Sequence, residues 1–285
     1  MASSREAFSI GDIQCVAISD GTFSYPVEWI FSNAPKEQLE DSLRNHDLPM
    51  NQVVTPYTCL LVKAGKQKVL IDTGADGLVP TSGDLLKQLQ AEGITPEEIT
   101  AVILTHAHPD HIGGVLDANR HPAFPNARYV MSRIEWNFWT SDPNLSGTGM
   151  NDHVKELLIS FARNNLPPLE ERVELLDGEK EVVPGVYAIP APGHTPGHLA
   201  VVVSSSQAQL LHMVDSVLHP MNLEHPAWRN VFDLNEDTAA TTRRQLLDRA
   251  AADNASVLAY HFPFPGLGRV TNHGNAWRWE AANQG

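Results

Sequence analysis

The sequence predicts an α/β fold in which two mixed β-sheets face each other and helices cover their outer sides. Two observations carry this prediction. Both halves of the chain alternate apolar, strand-like runs with segments of helical periodicity, and in both halves several strands end in histidine or aspartate. Because no low-complexity linker or break in composition separates the halves, residues 1–285 are interpreted as a single domain.

The first half contains three regions whose patterns are specific enough to assign. Two apolar runs flank Ala64-Gly65-Lys66, which predicts a β-hairpin, and leucines at helical spacing stop at Gly93, which predicts a helix end. The predicted elements are a strand at 11–19, a helix at 36–46, hairpin strands at 52–63 and 67–72, a helix at 83–92 and a buried strand at 101–104.

The second half repeats the same kinds of pattern. A helix at 152–165 carries Val154, Leu157, Leu158 and Phe161 on one face, and this face is interpreted as core. The other predicted elements are strands at 127–131, 186–189, 198–203 and 210–215, a helix at 236–252 and a last strand at 256–261.

Composition and charge restrict the class of protein. With 42% hydrophobic residues the chain can bury a large core, and its formal net charge of −14 disfavours a nucleic-acid partner. The two cysteines, Cys15 and Cys59, have no metal-ligand spacing and are interpreted as buried thiols, although a disulfide stays open. Neither an apolar leader nor a membrane-length apolar run is present, so we expect a cytoplasmic protein without a membrane partner.

The stretch Thr105–Gly114 places three imidazoles and one carboxylate within six residues, directly after the apolar run 101–104. His106 and His108 are two residues apart and point to the same side of an extended chain. Pro109 forces a turn, and Asp110 and His111 open the next segment, interpreted as a helix. Imidazole and carboxylate ligands at a strand end indicate a divalent metal such as Zn, Mn, Fe or Co.

Further ligand-type residues stand at the ends of later strands. Together with the central stretch they make five imidazoles and two carboxylates: His106, His108, Asp110, His111, His194, Asp215 and His261. One zinc takes about four ligands, so seven groups indicate two ions that share a carboxylate and hold a bridging hydroxide. Asp72 is interpreted as the acceptor for the far nitrogen of a metal-bound histidine, with turn capping as the alternative, and His198 as a supporting hydrogen bonder.

These residues resemble the metallo-β-lactamase superfamily of binuclear hydrolases, whose central motif is His-X-His-X-Asp-His. The resemblance extends from Ile71 to His261 and implies a four-layer αβ/βα sandwich. It also implies that His106, His108 and His194 hold one metal, that Asp110, His111 and His261 hold the other, and that Asp215 bridges them.

The segments 232–233, 242–247 and 261–268 resemble the methyl parathion hydrolase and lactonase branch of that superfamily. The resemblance implies a pocket lined by Phe23, Trp136 or Trp139, Leu218 and Phe262. Members of the autoinducer-inactivating lactonase group carry a tyrosine three residues after the bridging aspartate, where this chain has Leu218, and this difference puts a strict lactonase assignment in doubt. For the aromatic segment Phe23, Tyr25, Trp29 and Phe31, two interpretations stay open: core or homodimer contact, and an apolar wall over the site.

The resulting hypothesis is a hydrolase that cleaves lactones, carboxyl esters or phosphotriesters with a bridging hydroxide, with Asp110 relaying a proton and Asp215 bridging the metals. The alternatives are a thioester hydrolase of the glyoxalase II kind and a non-catalytic metal-binding protein. A β-lactamase also fits the ligands, whereas the acidic balance disfavours a nuclease. Among the other histidines, His212 is interpreted as a core residue, and His219 and His225 as candidates for reaching the substrate.

Overall fold

A computed structural model describes residues 4–282 of the protein. Its strands are β1 (Arg5–Ile10), β2 (Ile13–Pro26), β3 (Gln52–Ala64), β4 (Gln67–Ile71), β5 (Ala101–Ile103), β6 (Arg128–Ser132), β7 (Val173–Leu176), β8 (Lys180–Val183), β9 (Val186–Pro190), β10 (Leu199–Ser205), β11 (Ala208–His212), β12 (Ser256–Leu258), β13 (Leu267–His273) and β14 (Ala276–Ala281). Its α-helices are α1 (Val27–Ile30), α2 (Lys36–Asn45), α3 (Leu85–Ala91), α4 (Pro109–Ile112), α5 (Arg133–Thr140), α6 (Asp152–Asn165), α7 (Met221–Glu224) and α8 (Glu236–Ala252). The expectation about a leader rests partly on residues 1–3, which lie outside the described residues.

Two seven-stranded mixed sheets form the centre of the fold. In the first sheet, strands β1 to β4 pair antiparallel and β4 to β7 pair parallel. In the second sheet, β8 to β11 pair antiparallel, β11 and β12 pair parallel, and β12 to β14 pair antiparallel. The strands that precede the central motif, β4 and β5, lie in the parallel part of the sheet, and their residues 69–71 and 101–103 are apolar and buried.

The cores show that the two sheets face each other between two layers of helices. Along β3, Leu60 and Val62 belong to a cluster that also contains Val201 of β10, so these side chains pack sheet against sheet. Leu61, which points to the opposite face because side chains alternate along a strand, packs in a cluster with residues of α3, α5 and α6. A third cluster joins the second sheet to Leu247 of α8. The predicted fold of two mixed sheets with helices outside is therefore confirmed.

Two predicted strands end three residues earlier than expected. Strand β11 stops at His212, because Val214 has a φ of +49° that turns the chain, and Asp215 therefore lies in a 3₁₀ turn. Strand β12 stops at Leu258, so His261 lies in the loop that follows rather than at a strand tip. Both residues still lie beyond the same ends of neighbouring parallel strands, and this keeps them close together.

The remaining differences concern the sheet edges and β2, which was predicted at 11–19 and extends from Ile13 to Pro26. The helices predicted at 36–46, 83–92, 152–165 and 236–252 are confirmed to within two residues at each end. The four edge strands, β1, β7, β8 and β14, were not predicted, nor was β13. Cys15 and Cys59 are free and buried, so the disulfide alternative is wrong. Within residues 4–282, none of the helices combines the length and the apolar character needed to cross a bilayer.

Candidate metal centre

The central motif follows β5 and is held against the loop after β4. His106 and His108 lie on an irregular segment, and Pro109 opens the short helix α4, where its fixed φ fits the first turn. Behind the helix, a Cβ on Gly113 would lie 2.4 Å from the carbonyl carbon of Ala75. Because that separation is far below van der Waals contact, only glycine allows the motif to pack this closely against the preceding loop.

One group of ligand-type side chains consists of His106, His108, His194 and Asp215, whose candidate ligand atoms all lie within 4.8 Å of one another. Nε2 of His194 is 3.0 Å from Nδ1 of His108 and 3.3 Å from Oδ2 of Asp215. All four residues are buried. The fold thus brings together ligands that are separated by up to about a hundred positions in the sequence.

A second group consists of Asp110, His111 and His261, which satisfy the same distance criterion. Asp215 lies between the two groups, because its Oδ1 is 3.3 Å from Nε2 of His111 and its Oδ2 is 3.2 Å from Nε2 of His261. A carboxylate in this position is suited to bind two cations at once. All seven predicted ligands therefore meet in one place.

The unpartnered atoms of the site fit a pair of cations. Nε2 of His106, Nε2 of His111 and Oδ1 of Asp215 are buried and make no hydrogen bond within the described residues. Unpaired buried polar atoms are costly, and cations would satisfy them. Burial, followed by neighbouring imidazoles, holds the pKa of His106 and His108 well below the ordinary value, so both rings are neutral and have a lone pair for a metal.

Supporting residues fix the orientation of the histidine rings. Oδ2 of Asp72 lies 2.7 Å from Nδ1 of His111, and the Thr105 hydroxyl donates to the same oxygen at 2.8 Å. The backbone N–H of Asp215 donates to Nε2 of His198 at 3.3 Å, so His198 fixes the main chain that carries the shared carboxylate. These contacts leave Nε2 of His111 facing the centre, because its other nitrogen is engaged.

Asp233, which the sequence did not single out, holds His194. Its Oδ1 lies 3.0 Å from Nδ1 of His194, and its Oδ2 accepts a hydrogen bond from the buried guanidinium of Arg243 at 3.2 Å. Although burial opposes ionisation, the contacts with His194 and Arg243 lower the pKa of Asp233. The resemblance of segment 232–233 to the lactonase branch was the available signal for this residue.

Glu135, also not predicted, joins the two ligand-bearing loops. Oε1 accepts hydrogen bonds from the backbone of Ala107 at 3.1 Å and the indole of Trp139 at 2.7 Å. Oε2 accepts from the Thr195 hydroxyl at 2.7 Å and the Gly197 backbone at 2.9 Å. This fully buried carboxylate therefore connects the loop of His106 and His108 to the loop of His194.

A cavity of about 410 Å³ opens above the two groups. Five of the seven ligand-type residues reach it: His108, Asp110, His194, Asp215 and His261. Its other walls are mostly apolar, with aromatic residues Phe23, Tyr25, Trp29, Tyr57 and Phe232 and aliphatic residues Leu78, Val79, Val154, Leu157, Leu158 and Leu218. A concave, mainly apolar pocket with a few convergent polar groups is the usual form of a small-molecule site.

The structure corrects several predicted pocket residues. Phe23 and Leu218 line the cavity as predicted. Trp136 and Trp139 instead pack in the core beneath the first sheet, and the indole of Trp139 donates a hydrogen bond to Glu135. Phe262 is buried in the cluster of α8, with its ring 5.0 Å from Trp279. Trp136, Trp139 and Phe262 were assigned to the pocket from the resemblance to the lactonase branch, and such large apolar side chains are equally suited to core packing.

The remaining interpretations have mixed outcomes. The apolar face of α6 contributes Val154, Leu157 and Leu158 to the cavity, so its assignment to core alone was wrong. The aromatic segment divides, because Phe23, Tyr25 and Trp29 line the cavity whereas Phe31 is core.

The other histidines lie away from the cavity. His212 is buried with Nδ1 3.1 Å from the carbonyl of Leu258, as expected of a core histidine. His219 packs on Phe31 and His225 stacks on Trp228, so neither lines the pocket.

Comparison with known proteins decides the family. The sequence-family model of the metallo-beta-lactamase superfamily matches residues 53–260, which is well over half of the chain. The chain belongs to the metallo-beta-lactamase superfamily. The predicted recognition of this superfamily is therefore confirmed, and so is the four-layer sandwich that it implies.

Several members of the superfamily are similar over most of this chain. An N-acyl homoserine lactonase from Bacillus sp is 26% identical over 217 residues, which cover 68% of this chain and 78% of the relative. The structure of AidC, a dizinc quorum-quenching lactonase in complex with a product, superposes with a TM-score of 0.93 at 26% identity, covering 99% of this chain and 98% of that one. The hydrolase AbOPH superposes with a TM-score of 0.88 at 24% identity, covering 100% and 99% of the two chains, and this likeness concerns the fold alone.

These relatives and the ligand groups identify the chain as a metallo-hydrolase, which confirms the predicted class of enzyme. The centre accommodates two divalent metal ions.

Proposed function

We propose that this superfamily member is a lactonase that opens the ring of N-acyl homoserine lactones. The observation that carries the proposal is the position of the two ligand groups at the end of a mainly apolar cavity. A ring ester with an apolar acyl chain matches that arrangement, because the ester can meet the polar end while the chain contacts the apolar walls. The proposal is supported by the similarity to N-acyl homoserine lactonases.

For the metals we propose zinc, with manganese, iron and cobalt as alternatives, because the donors are imidazoles and carboxylates without a thiolate. His106, His108 and His194 would hold one ion, and Asp110, His111 and His261 the other, with Asp215 shared. When bound, such ions polarise a carbonyl oxygen and lower the pKa of water, which makes water a nucleophile at neutral pH.

The chain's own groups position the substrate and move the proton. Hydrolysis adds the oxygen of water to the lactone carbonyl carbon, breaks the ring carbon–oxygen bond and leaves an alkoxide that needs a proton. Asp110 is the proposed carrier, because its carboxylate reaches the cavity and its Oδ2 lies 3.5 Å from Nε2 of His261. The apolar walls exclude bulk water and strengthen the electrostatic contacts inside.

The test is a substrate panel run with protein of defined zinc content. It contains N-hexanoyl homoserine lactone, an aryl ester, an aryl phosphotriester and a glutathione thioester. We expect the lactone to have the highest kcat/KM. A higher value for the phosphotriester or aryl ester would support the broader hydrolase predicted from the sequence, and a higher value for the thioester would support the glyoxalase II alternative. Full zinc occupancy without any turnover would indicate a metal-binding protein and refute the proposal.

The proposal also includes a single domain, a homodimer and a cytoplasmic location, as predicted from the sequence.

A further inference from the structure

Two tyrosine hydroxyls face each other in the cavity beside the ligand groups. Tyr25 of β2 and Tyr57 of β3 both line the cavity, and their hydroxyl oxygens are 3.3 Å apart. The ring of Tyr57 lies 5.7 Å from the ring of His261, and the carbonyl of the preceding Pro56 lies 2.9 Å from Nδ1 of that histidine. The pair therefore adjoins the second ligand group.

The hydrogen-bond count of this pair leaves one hydrogen without a protein acceptor. Each phenol carries a single O–H, and only one of the two can donate across the 3.3 Å contact. The hydroxyl that accepts must direct its own hydrogen elsewhere, and among the described residues neither oxygen has another hydrogen-bond partner. Since the hydroxyls stand in a largely apolar cavity, the free hydrogen is available to a bound molecule.

The surroundings keep both groups as phenols. Burial is the main cause that raises the pKa of Tyr25 and Tyr57 far above the ordinary value. Burial favours the uncharged phenol, and a phenol can donate to a neutral or developing negative oxygen. The pair is therefore a hydrogen-bond donor throughout the working pH range.

Other polar groups of the same walls are less suited to this role. The hydroxyl of Thr55 donates to the backbone carbonyl of Phe23 at 3.2 Å. Trp29 packs on Tyr25 and Phe232, and no ring contact within the described residues joins it to a ligand histidine. Leu218, on the side of Asp215, presents only carbon atoms to the cavity.

We propose that the Tyr25–Tyr57 pair binds a carbonyl oxygen of the substrate through the hydrogen that their mutual hydrogen bond leaves free. This inference rests on the proposed ester-hydrolysing function and assigns that site a polar contact outside the ligand set. Because the 3.3 Å contact uses one of the two hydrogens, the accepting hydroxyl directs its own hydrogen away from its partner and can donate it to a bound oxygen.

The experiment compares Tyr25→Phe, Tyr57→Phe and the double variant with wild type, all with zinc content and Tm measured. A control separates loss of this hydrogen bond from loss of any tyrosine hydroxyl. Tyr187→Phe removes a hydroxyl on β9, outside the cavity. Steady-state kinetics use N-hexanoyl homoserine lactone and a γ-lactone without an amide, and calorimetry measures binding of N-hexanoyl-L-homoserine.

We expect the double variant to keep its zinc and Tm but to lose about 10- to 100-fold in kcat/KM and about tenfold in affinity for N-hexanoyl-L-homoserine, as for one hydrogen bond in a desolvated site. The Tyr187→Phe control should stay within about threefold of wild type. A loss on both lactones would place the contact on the ring ester, and a loss on the acylated lactone alone would place it on the amide.

Two results would overturn the inference, and they are distinguishable. If wild type hydrolyses and binds these compounds and the double variant matches it within about threefold, the phenol pair is not a substrate contact. If wild type neither hydrolyses a lactone nor binds the acyl homoserine, the proposed function fails and the inference fails with it.

Discussion

Glu135→Gln is a sharp test of how the centre is held, because it changes one atom type in a fully buried side chain. The carboxylate accepts four hydrogen bonds, two on each oxygen. Three of the donors lie in the two ligand-bearing loops, and the fourth is the indole of Trp139 on α5. Glutamine has almost the same shape, but its amide nitrogen has no lone pair to offer. At least one N–H donor therefore loses its acceptor whichever way the amide is oriented, because only the Thr195 hydroxyl can turn and accept a hydrogen bond from the amide.

The expected cost follows from the donors that lose their acceptor. A buried donor without a partner costs about 1–3 kcal/mol, so the free energy of unfolding should fall by at least that amount. The amide NH2 of the glutamine then faces an N–H donor, so one of the two loops must shift to relieve this clash. Both loops carry ligands of the first group. We therefore expect the ion bound by His106, His108 and His194 to dissociate at least tenfold faster.

Urea unfolding followed by tryptophan fluorescence measures the first quantity, and zinc transfer to a chromogenic chelator measures the second. Glu174→Gln is a matched control, because it makes the same chemical change at a partly exposed glutamate of β7 that pairs with Arg128 and Lys180. Surface ion pairs contribute little, so this variant should lose less than about 1 kcal/mol. The reasoning would be refuted if Glu135→Gln lost no more stability than the control and released zinc at the wild-type rate.

Three further predictions concern the shared ligand, the pocket and the pH dependence. Asp215→Asn should bind neither ion stably and lose activity at least 100-fold, as measured by metal analysis and turnover; wild-type turnover at full occupancy would contradict its role. Leu157→Trp should raise KM for long-chain lactones more than for short-chain ones, because it fills the cavity, whereas a uniform change would place the chain elsewhere. Burial, and after it the nearby His46, lowers the pKa of His219 to about 3. Below the ordinary histidine pKa, the unfolded state therefore binds a proton at this residue and the folded state does not. Stability should therefore fall by about 2 kcal/mol from this residue between pH 7.5 and 5, and His219→Asn should shrink the urea-measured pH difference by that amount, whereas an unchanged difference would show that His219 does not carry it.

The ligands could be predicted from the sequence because their chemistry is local or repeats at strand ends. His106 to His111 stand within six residues, and His194, Asp215 and His261 each follow an apolar run. The supporting contacts were harder to predict, since Glu135 lies 28 to 62 positions from three of its four donors, and a single glutamate in a helix carries no such signal.

The pocket was predicted least well, because apolar side chains suit a core and a binding site equally. Trp139 and Leu157 illustrate this: the tryptophan expected in the pocket is core, and the leucine expected in the core lines the pocket. The unpredicted strands include all four sheet edges, where a half-exposed strand lacks the continuous apolar run of a buried one.

The central claim is that seven side chains from distant parts of the chain hold two divalent ions, with Asp215 shared. A crystal structure of the zinc-loaded protein, with anomalous scattering recorded at the zinc edge, tests it most directly. The account predicts two peaks about 3.5–4 Å apart with the Asp215 carboxylate contacting both. A single peak, or two peaks of which Asp215 contacts only one, would contradict it.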